Sequence, residues 1–148
     1  MNTRILPLLS LLLLGVLELP AQVTFIDGKR YVEYIYVSFK VEVVLLNSGS
    51  STATSENIKA EFSKLKEHLS GFEPYSLEQS FPGSRWGDTL RTNSTGDLVR
   101  VPDLSQSFVL KFSQPTREDD VVKFLRSLPY VRGATGPADI LFDDSPPN

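Results

Sequence analysis

The sequence has no cysteine and only one histidine, one methionine and one tryptophan. The lack of cysteine excludes a disulfide framework, a thiolate nucleophile and thiolate-bound metal, so any core must hold by packing alone. With His68 as the lone imidazole, a hydrolytic triad has a single candidate base. Its place near the end of an apolar-striped segment gives it a plainer role, a cation at a helix C-terminus. No Gly-x-Ser-x-Gly elbow and no Gly-rich phosphate loop occurs. Charge of neither sign dominates: 15 Lys and Arg face 18 Asp and Glu, a net −3 with no basic cluster, so nucleic acid is not an expected partner. Acids at Glu118, Asp119 and Asp120 suit the first turn of a helix, and Asp143 with Asp144 is one pair without further oxygen ligands. Neither a metal nor another cofactor is therefore expected.

Long apolar runs are also missing, with one exception. Residues 5–17 are almost entirely apolar, follow Arg4 and are followed by Leu19-Pro20-Ala21. The run is shorter than the roughly 20 residues a membrane helix needs. A positive start, an apolar middle and a small residue before Gln22 make residues 1–21 a secretory signal peptide, with no stable membrane insertion after its cleavage and a periplasmic or extracellular destination. What remains suffices for one core, and the expected organisation is a domain at 22–142 followed by an extended tail at 143–148.

Within that domain, Asp27-Gly28 is a turn signal. Residues 31–46 then alternate, with Ile35, Val37, Phe39, Val41, Val43 and Leu45 on one face and Tyr34, Tyr36, Ser38, Lys40 and Glu42 on the other. This predicts one long strand with its core on one side and a partly free, aromatic side opposite. A polar linker ends with Ser55 or a neighbour as N-cap; Ile58, Phe62, Leu65 and Leu69 mark an amphipathic helix, closed by Gly71 at C′. Tyr75, Leu77, Gln79 and Phe81 alternate as a second strand. Residues 84–103 have no period and read as a long loop, in which Trp86, Arg85 and Arg91 are candidates to pin it onto the sheet. A third strand covers 104–113 and ends at Pro115. Thr116 and Asp119 form a capping-box pattern opening a helix striped by Val121, Phe124, Leu125 and Leu128. Residues 130–137 read as a Gly/Pro connector and 138–142 as the last strand. The order predicts an α+β, ferredoxin-like βαββαβ fold, a four-stranded antiparallel sheet with two helices on one face.

The C-terminal third carries a resemblance. Leu104, Ser105, Val109, Leu110, Lys111 and Phe112, then Leu125, Leu128, Pro129 and Val131, then Ala134, Pro137, Pro147 and Asn148 follow a pattern similar to the end of the N-terminal prodomain of secreted bacterial subtilisin-like serine proteases. The chain departs from that pattern at Ala134-Thr135-Gly136-Pro137, where the family carries Ala-Glu-Pro-Asn. The resemblance implies a non-catalytic propeptide, acting as intramolecular folding chaperone and temporary inhibitor of a subtilisin-like catalytic domain in cis or in trans. It also implies docking through the sheet and through a tail added as a strand in the substrate cleft. The residues expected to touch the protease are Asp143, Asp144, Ser145, Pro146, Pro147 and Asn148 of the tail, with Tyr34 and Tyr36 on the sheet. A free secreted ferredoxin-like binding or adaptor domain is the alternative, since the fold alone carries no function.

Export is directly testable. Residues 1–25 fused to a reporter should carry it across the inner membrane; retention in the cytoplasm would contradict the signal-peptide reading.

Overall fold

The computed structural model describes residues 23–137; the signal segment, the strand expected at 138–142 and the tail at 143–148 lie outside the described residues. Strand β1 (Thr24–Ile26) turns through Asp27 and Gly28, at φ 50° and 71°, into the eleven-residue β2 (Lys29–Phe39). Two successive positive φ values are what a tight two-residue hairpin requires, and Asp-Gly supplies them at low cost. A short β3 (Thr52–Ala53) precedes helix α1 (Ser63–Ser70) and β4 (Tyr75–Gln79). Then come a hairpin of β5 (Leu90–Thr92) and β6 (Leu98–Arg100), the long β7 (Ser107–Arg117), α2 (Glu118–Ser127) and β8 (Val131–Thr135).

All pairings in the main sheet are antiparallel, and its central order is β8–β2–β7–β4. β3 extends the outer side of β4, while β1 pairs with the start of β2 and β8 with its end. The sheet thus has six strands rather than the expected four. The additions are made by the Asp27–Gly28 turn and by two residues of the polar linker, both too short to show a period in the sequence.

One face of this sheet is apolar: Val32, Ile35, Val37 and Phe39 of β2, Phe108 and Leu110 of β7, Tyr75 and Leu77 of β4 and Ala134 of β8 are all buried. The helices close over it with Leu65 and Leu69 from α1 and Val121 and Leu125 from α2. Each such side chain contributes about 1.5–3 kcal/mol of burial, which is how the domain holds without a cross-link.

Several boundaries differ from the sequence reading. β2 stops at Phe39, and Val41 and Leu45 are 40% and 49% exposed although they continue the alternation. The cause is Gln106: its Oε1 accepts the N–H groups of Val43 (2.8 Å) and Val44 (3.0 Å), and its Nε2 donates to the Val44 carbonyl (3.0 Å). A buried amide here takes the place of a neighbouring strand and lets Val43 and Val44 turn inward together. The first helix begins at Ser63, not at Ser55; residues 55–62 form two 3₁₀ turns that still bury Ile58 and Phe62. Gly71 does close the helix, at a right-handed φ of −68°.

β7 runs on through Pro115 to Arg117. Its register against β2 jumps between Val32–Thr116 and Tyr34–Lys111, so Pro115 lies in a bulge where no ladder N–H is needed. Thr116 consequently belongs to the strand, donates to the Gln114 carbonyl and caps nothing; Arg117 is the N-cap of α2. The presumed connector contains the last described strand, β8. The presumed loop holds a second, two-stranded sheet, β5–β6, whose turn is ordered by Asn93 Oδ1 accepting from the N–H groups of Thr95 and Asp97.

Gln106→Leu should lower stability by about 3 kcal/mol in urea melts, because two buried N–H groups and one carbonyl lose their partner together. Thr116→Ala should leave the midpoint nearly unchanged. Similar small shifts for both would show that the Gln106 amide is dispensable.

Candidate functional site

The second face of the sheet is uncovered among the described residues, and cross-strand register sorts it into rows. One row joins Thr135, Tyr36, Val109, Glu78 and Thr52 across β8, β2, β7, β4 and β3. The next towards the C-terminal end of β2 joins Gly133, Ser38 and Ser107, three small residues abreast, and Ser80 continues it by donating its N–H to the Ser107 carbonyl (2.8 Å). On the other side, Tyr34 is level with Lys111 and Ser76.

Small residues between larger ones make a hollow. Its floor includes Ser38, Ser107 and Gly133, its walls include Tyr36 and Phe81, and its volume is about 520 Å³. Gly133 contributes by lacking a side chain, since a Cβ built there meets nothing within 4 Å. Tyr36 and Phe81 are 43% and 46% exposed, large apolar surface left at the rim. A hollow of this size is within the range of ligand pockets and of pockets that take a partner's side chain.

The two sheet residues singled out by sequence do come together. Tyr34 and Tyr36 meet edge to face, with ring centroids 5.3 Å apart. Burial raises the Tyr34 phenol above its ordinary value, and the hydrogen bond and charge of Tyr36 add to that, so near neutral pH it is a hydrogen-bond donor. The charges on this face pair with each other, Lys111 Nζ against the Glu78 carboxylate. What the face offers is therefore aromatic area, hydroxyl groups and the Lys111–Glu78 ion pair, with the Arg126 guanidinium at the side of the hollow. The six tail candidates, Asp143, Asp144, Ser145, Pro146, Pro147 and Asn148, lie outside the described residues.

Sequence reasoning missed Phe81 and Gly133. Phe81 continues the apolar alternation of β4, yet β4 ends at Gln79 and the aromatic ring is left half-exposed. The loop before β7 is tied to itself by Asp103, whose Oδ2 accepts the Gly87 N–H (2.6 Å) and whose Oδ1 accepts the Ser105 N–H (2.9 Å), while Trp86 and Arg85 lie beside Val44, Gln79 and Gln106. Burial alone would raise the Asp103 carboxyl, but these bonds, the Ser105 hydroxyl and the nearby Arg132 outweigh it and hold the group below its ordinary value. Arg91 pairs with Asp88, and Trp86 is 46% exposed.

His68 is on the helical side of the sheet, away from the hollow. Its ring stacks on Phe124 of α2 at a centroid distance of 3.5 Å, with Phe72 5.7 Å away. Among the described residues no cluster of three His, Asp or Glu side chains is placed to hold a metal. Comparisons with family models, with curated proteins and with solved structures return no match to this chain.

The histidine stack has a pH consequence. Burial lowers the His68 imidazole below its ordinary value, so folding favours the neutral ring. Its contribution is complete above about pH 6.5, the value of an unfolded histidine, and is lost as pH falls from there towards the lower folded value. Wild type should lose urea stability between about pH 7.5 and pH 5, and His68→Gln should lose less over that window. An identical slope in the two proteins would remove His68 as its source.

Proposed function

We propose that the domain is the prodomain of an exported subtilisin-like serine protease, a non-catalytic folding chaperone and temporary inhibitor that docks through the uncovered face of its sheet. The observation that carries this reading is the strand order β8–β2–β7–β4 with both helices on one side, which is the order of a ferredoxin-like fold with edge strands added. It fits the fold that the resemblance implies. Support also comes from the chemistry of the free face: an apolar hollow rimmed by Tyr36 and Phe81 suits a large, partly apolar protein surface. Catalysis in this reading belongs to the partner enzyme.

The hollow provides a test, because a Cβ added at Gly133 meets nothing within 4 Å. Residues 22–148 should slow cleavage of a peptide substrate by a subtilisin-like protease from the same source. Gly133→Val should raise the inhibition constant on the order of tenfold with a urea midpoint no lower than wild type, about 1.4 kcal/mol of binding lost by filling the pocket. Removing residues 143–148 should weaken inhibition as well. If the intact domain inhibits none of several subtilisin-like enzymes, the reading gives way to a free secreted binding domain.

A further inference from the structure

Where the chain leaves β8, three elements distant in sequence converge. The Arg30 guanidinium, from β2, lies against the Glu118 carboxylate at the start of α2, with Nε 3.1 Å from Oε2 and Nη1 3.5 Å from Oε1. Its Nη2 donates to the Pro137 carbonyl. Both charged side chains are largely shielded, with 21% and 15% of their surface exposed, so the ion pair is screened far less than a surface pair. Gly136 passes directly under the Glu118 carboxylate: a Cβ there would sit 2.4 Å from its Cδ. The backbone of Gly136 is not in the left-handed region, so space, not conformation, is what demands glycine.

We propose that Arg30, Glu118 and Gly136 form a latch that fixes the main chain at Gly136 and Pro137 against the start of α2. The glycine that departs from the family pattern is then part of a device. It admits the Glu118 carboxylate over the main chain, where it orients Arg30 towards the Pro137 carbonyl. Glu118 is held in turn by its place in the first turn of α2, where the helix dipole favours an anion. These are positioning residues, and their importance for inhibition rests on the function proposed above; the latch itself does not.

The latch predicts how substitutions combine. In Gly136→Ala the new methyl meets the movable end of the Glu118 side chain, so the variant should fold but push the carboxylate off Arg30. Arg30→Gln, Glu118→Ala and Gly136→Ala should each lower the ¹⁵N–¹H heteronuclear NOE at position 136 while the amides of β8 keep wild-type values. In a Glu118→Ala background, Gly136→Ala should add nothing, since the group it displaces is gone. A position 136 as rigid in Arg30→Gln as in wild type, or fully additive effects of Glu118→Ala and Gly136→Ala, would overturn the latch. Measured on the same proteins, the inhibition constant for a subtilisin-like protease should rise about three- to tenfold, the effect of losing a preorganised main chain at Gly136 and Pro137. A lowered NOE with an unchanged inhibition constant would support the latch and count against the protease-directed role.

Discussion

The fold depends on β2 being paired along both edges while only one of its faces is covered. Its eleven residues bind β7 on one side and, in succession, β1 and β8 on the other. Because side chains alternate, that pairing sends Ile35, Val37 and Phe39 to the helices and leaves Tyr34, Tyr36 and Ser38 on the opposite surface. Two helices of eight and ten residues can cover one face of such a sheet and no more. A domain built this way carries a second face that must be soluble by itself or meet a partner. Here the character of that face changes with position: Lys111 and Glu78 neutralise each other on β7 and β4, and the aromatic hollow lies towards β8.

Side-chain period was legible wherever the partner was another regular element. The alternations of 31–39, 75–79 and 107–112 and the stripes of Leu65 with Leu69 and Val121 with Leu125 all point to the core that forms. Legibility failed where the partner was a single side chain. Val41, Val43 and Leu45 carry the β2 pattern onward, yet Gln106, 62 residues from Val44 in sequence, replaces the strand that would have paired there. No local rule anticipates one amide satisfying three backbone groups. Pro115 misled for a related reason: proline forbids a ladder N–H, but a bulge in the pairing with β2 removes the need for one, and the strand continues into α2 without a side-chain cap.

The candidate site was legible by half. Tyr34 and Tyr36 stand out because aromatic residues on the polar side of a strand are large apolar surface without an internal partner, and both do lie on the free face. The hollow beside them could not be read, since it is made of what is missing. Ser38, Ser107 and Gly133 are unremarkable in sequence, and only the register that lines them up across three strands turns three small side chains into a depression.

β8 concentrates this problem. Its composition, Val131-Arg132-Gly133-Ala134-Thr135 followed by Gly136-Pro137, reads as a connector, because glycine and proline are poor strand formers. Pairing with β2 overrides that weak preference, and the outer edge is not left bare: Arg126 Nε donates to the Ala134 carbonyl at 2.8 Å, occupying an acceptor that another strand could otherwise use. At 133 the missing side chain leaves the hollow open, and at 136 it leaves room for Glu118. A strand short on side chains is a weak strand, and that weakness is tolerable because β2 holds one edge, Arg126 the other, and the Arg30–Glu118 pair the end.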